Sequence, residues 1–104
     1  MLTSAETDLL RVLADPLRLR IVHLLAHETL CTTHLVDRTG ARQTNLSNHL
    51  RVLRDAGVVD TEPCGRFTYY RLRPDVLELL AGSFAALAAT SRTTLATDRK
   101  RACP

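Results

Sequence analysis

Two short helical segments, each closed by a glycine and followed at once by two β-type runs, leave this chain few ways to fold. The first runs from about Thr32 to Thr39 with Leu35 and Val36 turned inward, and Gly40 stands where helices commonly stop. The second begins near Gln43 and continues to Ala56. Its Leu46, Leu50 and Leu53 recur at i, i+4 and i+7 on one face, and Gly57 closes it. Val58–Glu62 and Phe67–Leu72 then read as strands around a turn, Pro63-Cys64-Gly65-Arg66. Two helices joined by a tight glycine turn make a helix-turn-helix. A hairpin directly behind one is a wing.

The flanks read as helices too. Ser4 is the expected N-cap of a first helix, with Glu6 and Asp8 in its first turn and Leu9, Leu10, Val12 and Leu13 on its apolar face. Asp15-Pro16 ends that helix and starts another, whose stripe is Leu17, Ile21, Leu24 and Leu25 with Arg18 and Arg20 off it. Pro74 opens a long last helix with Val76, Leu77, Leu80, Phe84 and Leu87 at helical spacing, and its alanines permit close helix–helix approach. Beyond about Thr94 the chain turns polar and carries Arg99, Lys100, Arg101 and Cys103. The expectation is a mainly α winged helix-turn-helix with a β-hairpin, in the order α-α-α-α-β-β-α. A DNA-binding and dimerisation domain would span 1–94 and a flexible tail 95–104.

Composition agrees with this. A chain of 104 residues, 45% hydrophobic and 24% charged, suits one globular domain. Only 4% is aromatic, so the core must come from Leu, Val, Ile and Ala, which favours helices over a sandwich or barrel. A monomer this small buries roughly two-thirds of its unfolded surface, so a second subunit would help it. The formal charge of +3 is mildly basic, and every base except Lys100 is arginine, the side chain that grips phosphates and guanine edges bidentately. Met1 leads into Ser4, Glu6 and Asp8 rather than into a basic and then apolar run. The longest uncharged stretch, Leu79 to Ser91, is shorter than the ~20 apolar residues a bilayer span needs. A cytoplasmic protein with no membrane partner is expected. There, three cysteines suit metal, metalloid or redox chemistry better than disulfides.

On the helix from Gln43, the face away from the leucines carries Gln43, Thr44, Ser47, Asn48 and Arg51, with Arg42 and Asn45 beside them. Short polar side chains followed by an arginine can read base edges in a major groove. No acid interrupts this half until Asp55. Arg66 at the wing tip is suited to a minor groove or its phosphates. The expected partner is double-stranded DNA. An enzyme is not expected, because the chain offers no nucleophile with a base and no glycine-rich phosphate loop.

Three segments resemble one family, the ArsR/SmtB metal-sensing repressors. Leu13-Ala14-Asp15-Pro16-Leu17-Arg18-Leu19-Arg20-Ile21 is similar to its opening signature, Leu46 through Val59 to its recognition helix, and Gly65 through Tyr70 to its wing. The likeness implies a homodimer packed through its first and last helices on an imperfect inverted repeat, with repression relieved by an inducer. Arg42 departs from the pattern, since the family has a small N-capping residue there. Arginine cannot cap in that way and is free to meet a phosphate.

Cys31, at the entrance to the third helix, matches the first cysteine of the family's Leu-Cys-Val-Cys-type sensor motif, but the second is Thr33 here. A thiol at a helix N-terminus is easier to ionise, and thiolates ligate soft ions. Further ligands would be Cys64 in the wing turn and Cys103 in the tail. Three thiolates suit As(III) or Sb(III), with Cd(II) and Pb(II) as alternatives, and no organic cofactor is implied. Val52 and Ala56 stand where the cadmium/lead branch has paired cysteines. The last helix has Asp75 and Glu78 but no histidine for a zinc site. His23 and His27 form an i, i+4 pair that nothing completes; His34 and His49 read as helix surface or core. A thiol redox or persulfide sensor of the same fold, and a constitutive DNA-binding module with inert cysteines, remain open at this point.

Overall fold

The computed structural model describes residues 2–97 and 100–104, so Arg99 of the expected tail lies outside the described residues. The elements run α1 (Ser4–Leu13), α2 (Pro16–Leu25), β1 (Leu30–Cys31), α3 (Thr32–Thr39), α4 (Gln43–Asp55), β2 (Val59–Cys64), β3 (Phe67–Leu72) and α5 (Pro74–Thr97). This is the winged helix-turn-helix that the sequence suggests, with one added element. The two-residue strand β1 pairs antiparallel with β3, making a three-stranded sheet in the order β1-β3-β2.

Local chemistry explains most boundaries. Thr3, not Ser4, caps α1: its hydroxyl oxygen accepts from the Glu6 amide at 3.1 Å, one residue earlier than the sequence suggested. Asp15 caps α2 by accepting from the Arg18 amide at 3.0 Å, and Pro16 occupies the first turn, where its missing N–H costs nothing. Gly40 ends α3 with φ of 72°, a left-handed conformation that a side chain would strain. The hairpin turn is tighter than expected. Pro63 and Cys64 belong to β2, and only Gly65 (φ 60°) and Arg66 form the bend. Pro63 is tolerated because β2 is an edge strand.

The core gathers Ile21, Leu35, Leu46, Leu50, Leu53, Val58 and Val59, all at most 2% exposed. The leucine stripe of α4 is thus buried as its spacing foretold, each leucine contributing roughly 1.5–3 kcal/mol. Leu17 and Leu24 of the expected α2 stripe are only half-buried, and Val22 is buried instead. Helix α5 meets this core through Val76, Leu77 and buried Leu80. It then runs on to Thr97, past the boundary at 94, with Phe84, Leu87 and Leu95 exposed on it. One polar contact pins it further along: the Ser83 hydroxyl donates to a Glu6 carboxylate oxygen.

Candidate nucleic-acid interface and thiol site

Helix α4 carries most of the residues expected to face DNA. At 100° per residue, burying Leu46, Leu50 and Leu53 turns Thr44, Ser47, Asn48 and Arg51 outward, while Gln43 falls on the leucine side and is exposed because it opens the helix. Ser47 is half-buried and the others are exposed. Asn45 is exposed too, but a further 100° round from Thr44 it lies on the flank. Arg42 stands at the N-cap and makes no side-chain capping bond, as the sequence suggested. The wing brings a second group to the same side. A polar groove of about 280 Å³ is lined by Thr32 and Thr33 at the start of α3, Gln43 at the start of α4, and Arg66, Thr68 and Tyr70 of the hairpin.

Ion pairing bears on which arginines can meet a phosphate. Arg11, Arg38, Arg54, Arg71 and Arg73 each meet a carboxylate within 4.0 Å. Among the described residues, Arg42, Arg51 and Arg66 meet none. Pairing removes a guanidinium from the pool that can neutralise phosphates. Arg20, Arg92 and Arg101 also meet no carboxylate, while Arg54 of α4 and Arg71 of the wing are paired, so the α4 and wing side keeps three unneutralised guanidinium groups, a charge that suits a nucleic acid.

The thiols are not gathered in one chain. Cys31 is buried, is the last residue of β1, and is also the N-cap of α3. Cys64 is exposed at the end of β2, and Cys103 is exposed beyond α5. Cys31 pairs with Tyr69 and Tyr69 with Glu62, two residues before Cys64. Two strand spacings and two residues put the Cα atoms of Cys31 and Cys64 about 12 Å apart. That is too far for one ion, and the described residues hold no group of three or more His, Cys, Asp or Glu side chains able to hold a metal. Thiolates beyond Cys31 would have to come from another chain or from movement.

Cys31 does have a neighbour that the sequence did not single out. His34 Nδ1 accepts from the Cys31 amide at 3.3 Å and lies 3.4 Å from its Sγ. The imidazole thereby plays the returning half of a capping box, and its ring meets Tyr69 of β3 edge-on at 6.1 Å. The i, i+3 spacing was visible in the sequence; the burial that makes it matter was not. Sulfur, imidazole nitrogen and the wing strand meet at one joint. A soft or borderline ion would find one thiolate and one nitrogen there, half of a tetrahedral set.

Two carboxylates are perturbed. The Ser83 hydroxyl beside Glu6 holds its carboxyl below the usual value, with help from Thr3 and against the opposing effect of burial. The Arg18 amide does the same for Asp15, reinforced by the nearby Arg18 charge and again opposed by burial. Neither faces the groove, so both bear on the scaffold rather than on the interface.

Known proteins agree with this geometry. Residues 15–61 match the model of the bacterial regulatory protein, arsR family. The HTH-type transcriptional repressor SmtB of Mycobacterium tuberculosis H37Rv is 44% identical over 66% of this chain and 51% of its own length. The cadmium resistance transcriptional regulatory protein CadC of Listeria innocua is 35% identical over 68% of this chain and 60% of its own. The chain therefore spans only about half to three-fifths of these two relatives. A solved structure described as a possible transcriptional regulator for arsenical resistance is 36% identical, covers 90% of this chain and 98% of its own, and superposes with a TM-score of 0.71. The chain belongs to the arsR family of bacterial regulatory proteins.

Proposed function

We propose that this chain is a homodimeric transcriptional repressor that binds operator DNA through α4 and the wing and is released when its cysteines capture As(III) or Sb(III). The observation that carries the reading is the place of Cys31. It is both the N-cap of α3 and, through β1, a partner of wing strand β3. Chemistry at that sulfur acts on the joint between the helix-turn-helix and the wing. Arg42, Gln43, Thr44, Asn45, Ser47, Asn48, Arg51 and Arg66 make the DNA contacts. Cys64 and Cys103 complete the thiolate set, drawn from both subunits or after movement.

The exposed apolar residues of α5 support the dimer. Phe84, Leu87 and Leu95 are 46%, 51% and 75% exposed along this helix. Exposed apolar surface of this kind marks an interaction site. A second copy using the same face gives the twofold symmetry that an inverted repeat requires.

Release is a linkage effect. To move the population from bound to free, the inducer must bind the DNA-free form more tightly by several kcal/mol. A buried thiol provides that difference when ligation needs β1 to part from β3, because DNA holds the wing in place. Titrating As(III), Cd(II), Pb(II) and Zn(II) against a fluorescent operator complex identifies the effector. Release by As(III) at the lowest concentration is expected; release by Cd(II) or Pb(II) first would transfer the assignment to those ions.

One observation favours a second reading, a thiol redox or persulfide sensor. The Cys31 sulfur sits 3.4 Å from His34 Nδ1 at the joint with the wing, where oxidation of the thiol would disturb the same contacts. Oxidant-induced release without metal, reversed by dithiothreitol, would support that reading over the metalloid.

A further inference from the structure

Three leucines seat α4 in the core, and apolar contact is non-directional. A helix read by a DNA groove needs its rotation and tilt fixed as well as its burial. Among the described residues, one side-chain hydrogen bond ties α4 to another element. Arg18 Nη1 of α2 lies 3.1 Å from Nδ1 of His49. A guanidinium only donates, so Nδ1 is the acceptor and the ring proton sits on Nε2.

The same guanidinium reaches α1, where its Nε donates to the Val12 carbonyl, an oxygen in the last turn of that helix. The Arg18 amide is held by the Asp15 carboxylate, which also lies 3.9 Å from His49 Nδ1. One arginine thus gathers the end of α1, the start of α2 and the middle of α4. The His49 and Asp15 side chains are only 19% and 30% exposed, which limits competition from water.

We propose that Asp15, Arg18 and His49 form a polar brace that sets the orientation of α4 against the α1–α2 corner, so that His49 and Arg18 are positioning residues for sequence reading without belonging to the DNA-facing set. The inference rests on the reading of α4 as the groove-binding helix. Misorientation costs base contacts, which need angular accuracy. It spares phosphate attraction, which supplies non-specific affinity and tolerates a tilt.

The test uses the full chain, a duplex enriched from a random-sequence pool by the wild-type protein, and a scrambled duplex of equal length. His49→Leu removes the acceptor at similar volume. It is expected to lower affinity for the enriched duplex about tenfold, the scale of one well-placed hydrogen bond. Affinity for the scrambled duplex and its salt slope should stay within about twofold. His49→Gln, whose Oε1 can accept from Arg18, should recover most of the discrimination. Arg18→Ala should reproduce the loss, and the Arg18→Ala/His49→Leu double variant should lose little more than either single one. Parallel loss on both duplexes, unchanged discrimination in His49→Leu, or additive single effects would each overturn the brace. A wild-type protein that enriches no sequence would overturn the reading of α4 and the brace with it, an outcome distinct from those three.

Discussion

Replacing Arg42 by alanine tests the nucleic-acid face with a magnitude that follows from the ion pairs. Arg42, Arg51 and Arg66 lack a carboxylate partner, so the proposed dimer would present six unneutralised guanidinium groups from α4 and the wing to DNA. If each neutralises one phosphate, the plot of log affinity against log salt has a slope of about −5.4, and affinity falls about 2,000-fold between 50 and 200 mM salt. Arg42→Ala removes two of the six, which predicts a slope of about −3.6 and a fall of about 150-fold. The substitution leaves the fold alone, because Arg42 makes no side-chain capping bond and alanine loses nothing there. Fluorescence anisotropy of a labelled duplex over a salt series measures both slopes. An unchanged slope in Arg42→Ala would refute the reasoning that an uncapped, unpaired arginine at this helix entrance meets a phosphate.

Other predictions concern the scaffold. Gly40→Ala should lower stability by roughly 1–2 kcal/mol in a denaturant melt, the cost of a side chain at φ 72°. No neighbour lies within 4 Å of the added methyl carbon, so a much larger loss would contradict a purely conformational cost. The depressed Glu6 carboxyl gives stability that is present above its ordinary titration range and lost as pH falls through its lower folded value. Glu6→Gln should therefore flatten the stability curve below about pH 4, and an unaltered acid limb would count against the Ser83 contact. Phe84→Glu places a charge on the exposed apolar face of α5 and should shift the chain to monomer in sedimentation velocity. A dimer that persists would move the interface elsewhere.

Much of the helix-turn-helix and the wing was legible because they rest on local signals. The 3.6-residue period of Leu46, Leu50 and Leu53 and the turn glycines act within a few residues of where they stand in the sequence. What escaped was non-local or a matter of geometry. Strand β1 is two residues long and exists only because Tyr69 and Tyr70 lie opposite it, far along the chain. Thr3 and Ser4 are adjacent hydroxyl residues, and only the backbone decides which one caps. Glu6 looked like a first-turn acid suited to the helix dipole, yet its partner Ser83 is 77 residues away. His49 read as an ordinary helix residue for the same reason, since Arg18 stands 31 residues before it. The thiol question was harder still. Residue type named Cys31, Cys64 and Cys103, but the sheet holds the first two on separate strands, so one chain cannot complete the set as it stands.

The central claim is that Cys31 is where the effector acts. Serine is close in size and caps helices well, so Cys31→Ser should keep the fold and the operator affinity while removing the soft ligand. The decisive measurement is arsenite-driven release of labelled operator DNA from wild type and Cys31→Ser, compared with Cys64→Ser and Cys103→Ser. Release is expected from wild type, none from Cys31→Ser at any concentration that empties the wild-type complex, and a weakened response in one or both of the other variants. Undiminished release from Cys31→Ser would contradict that claim.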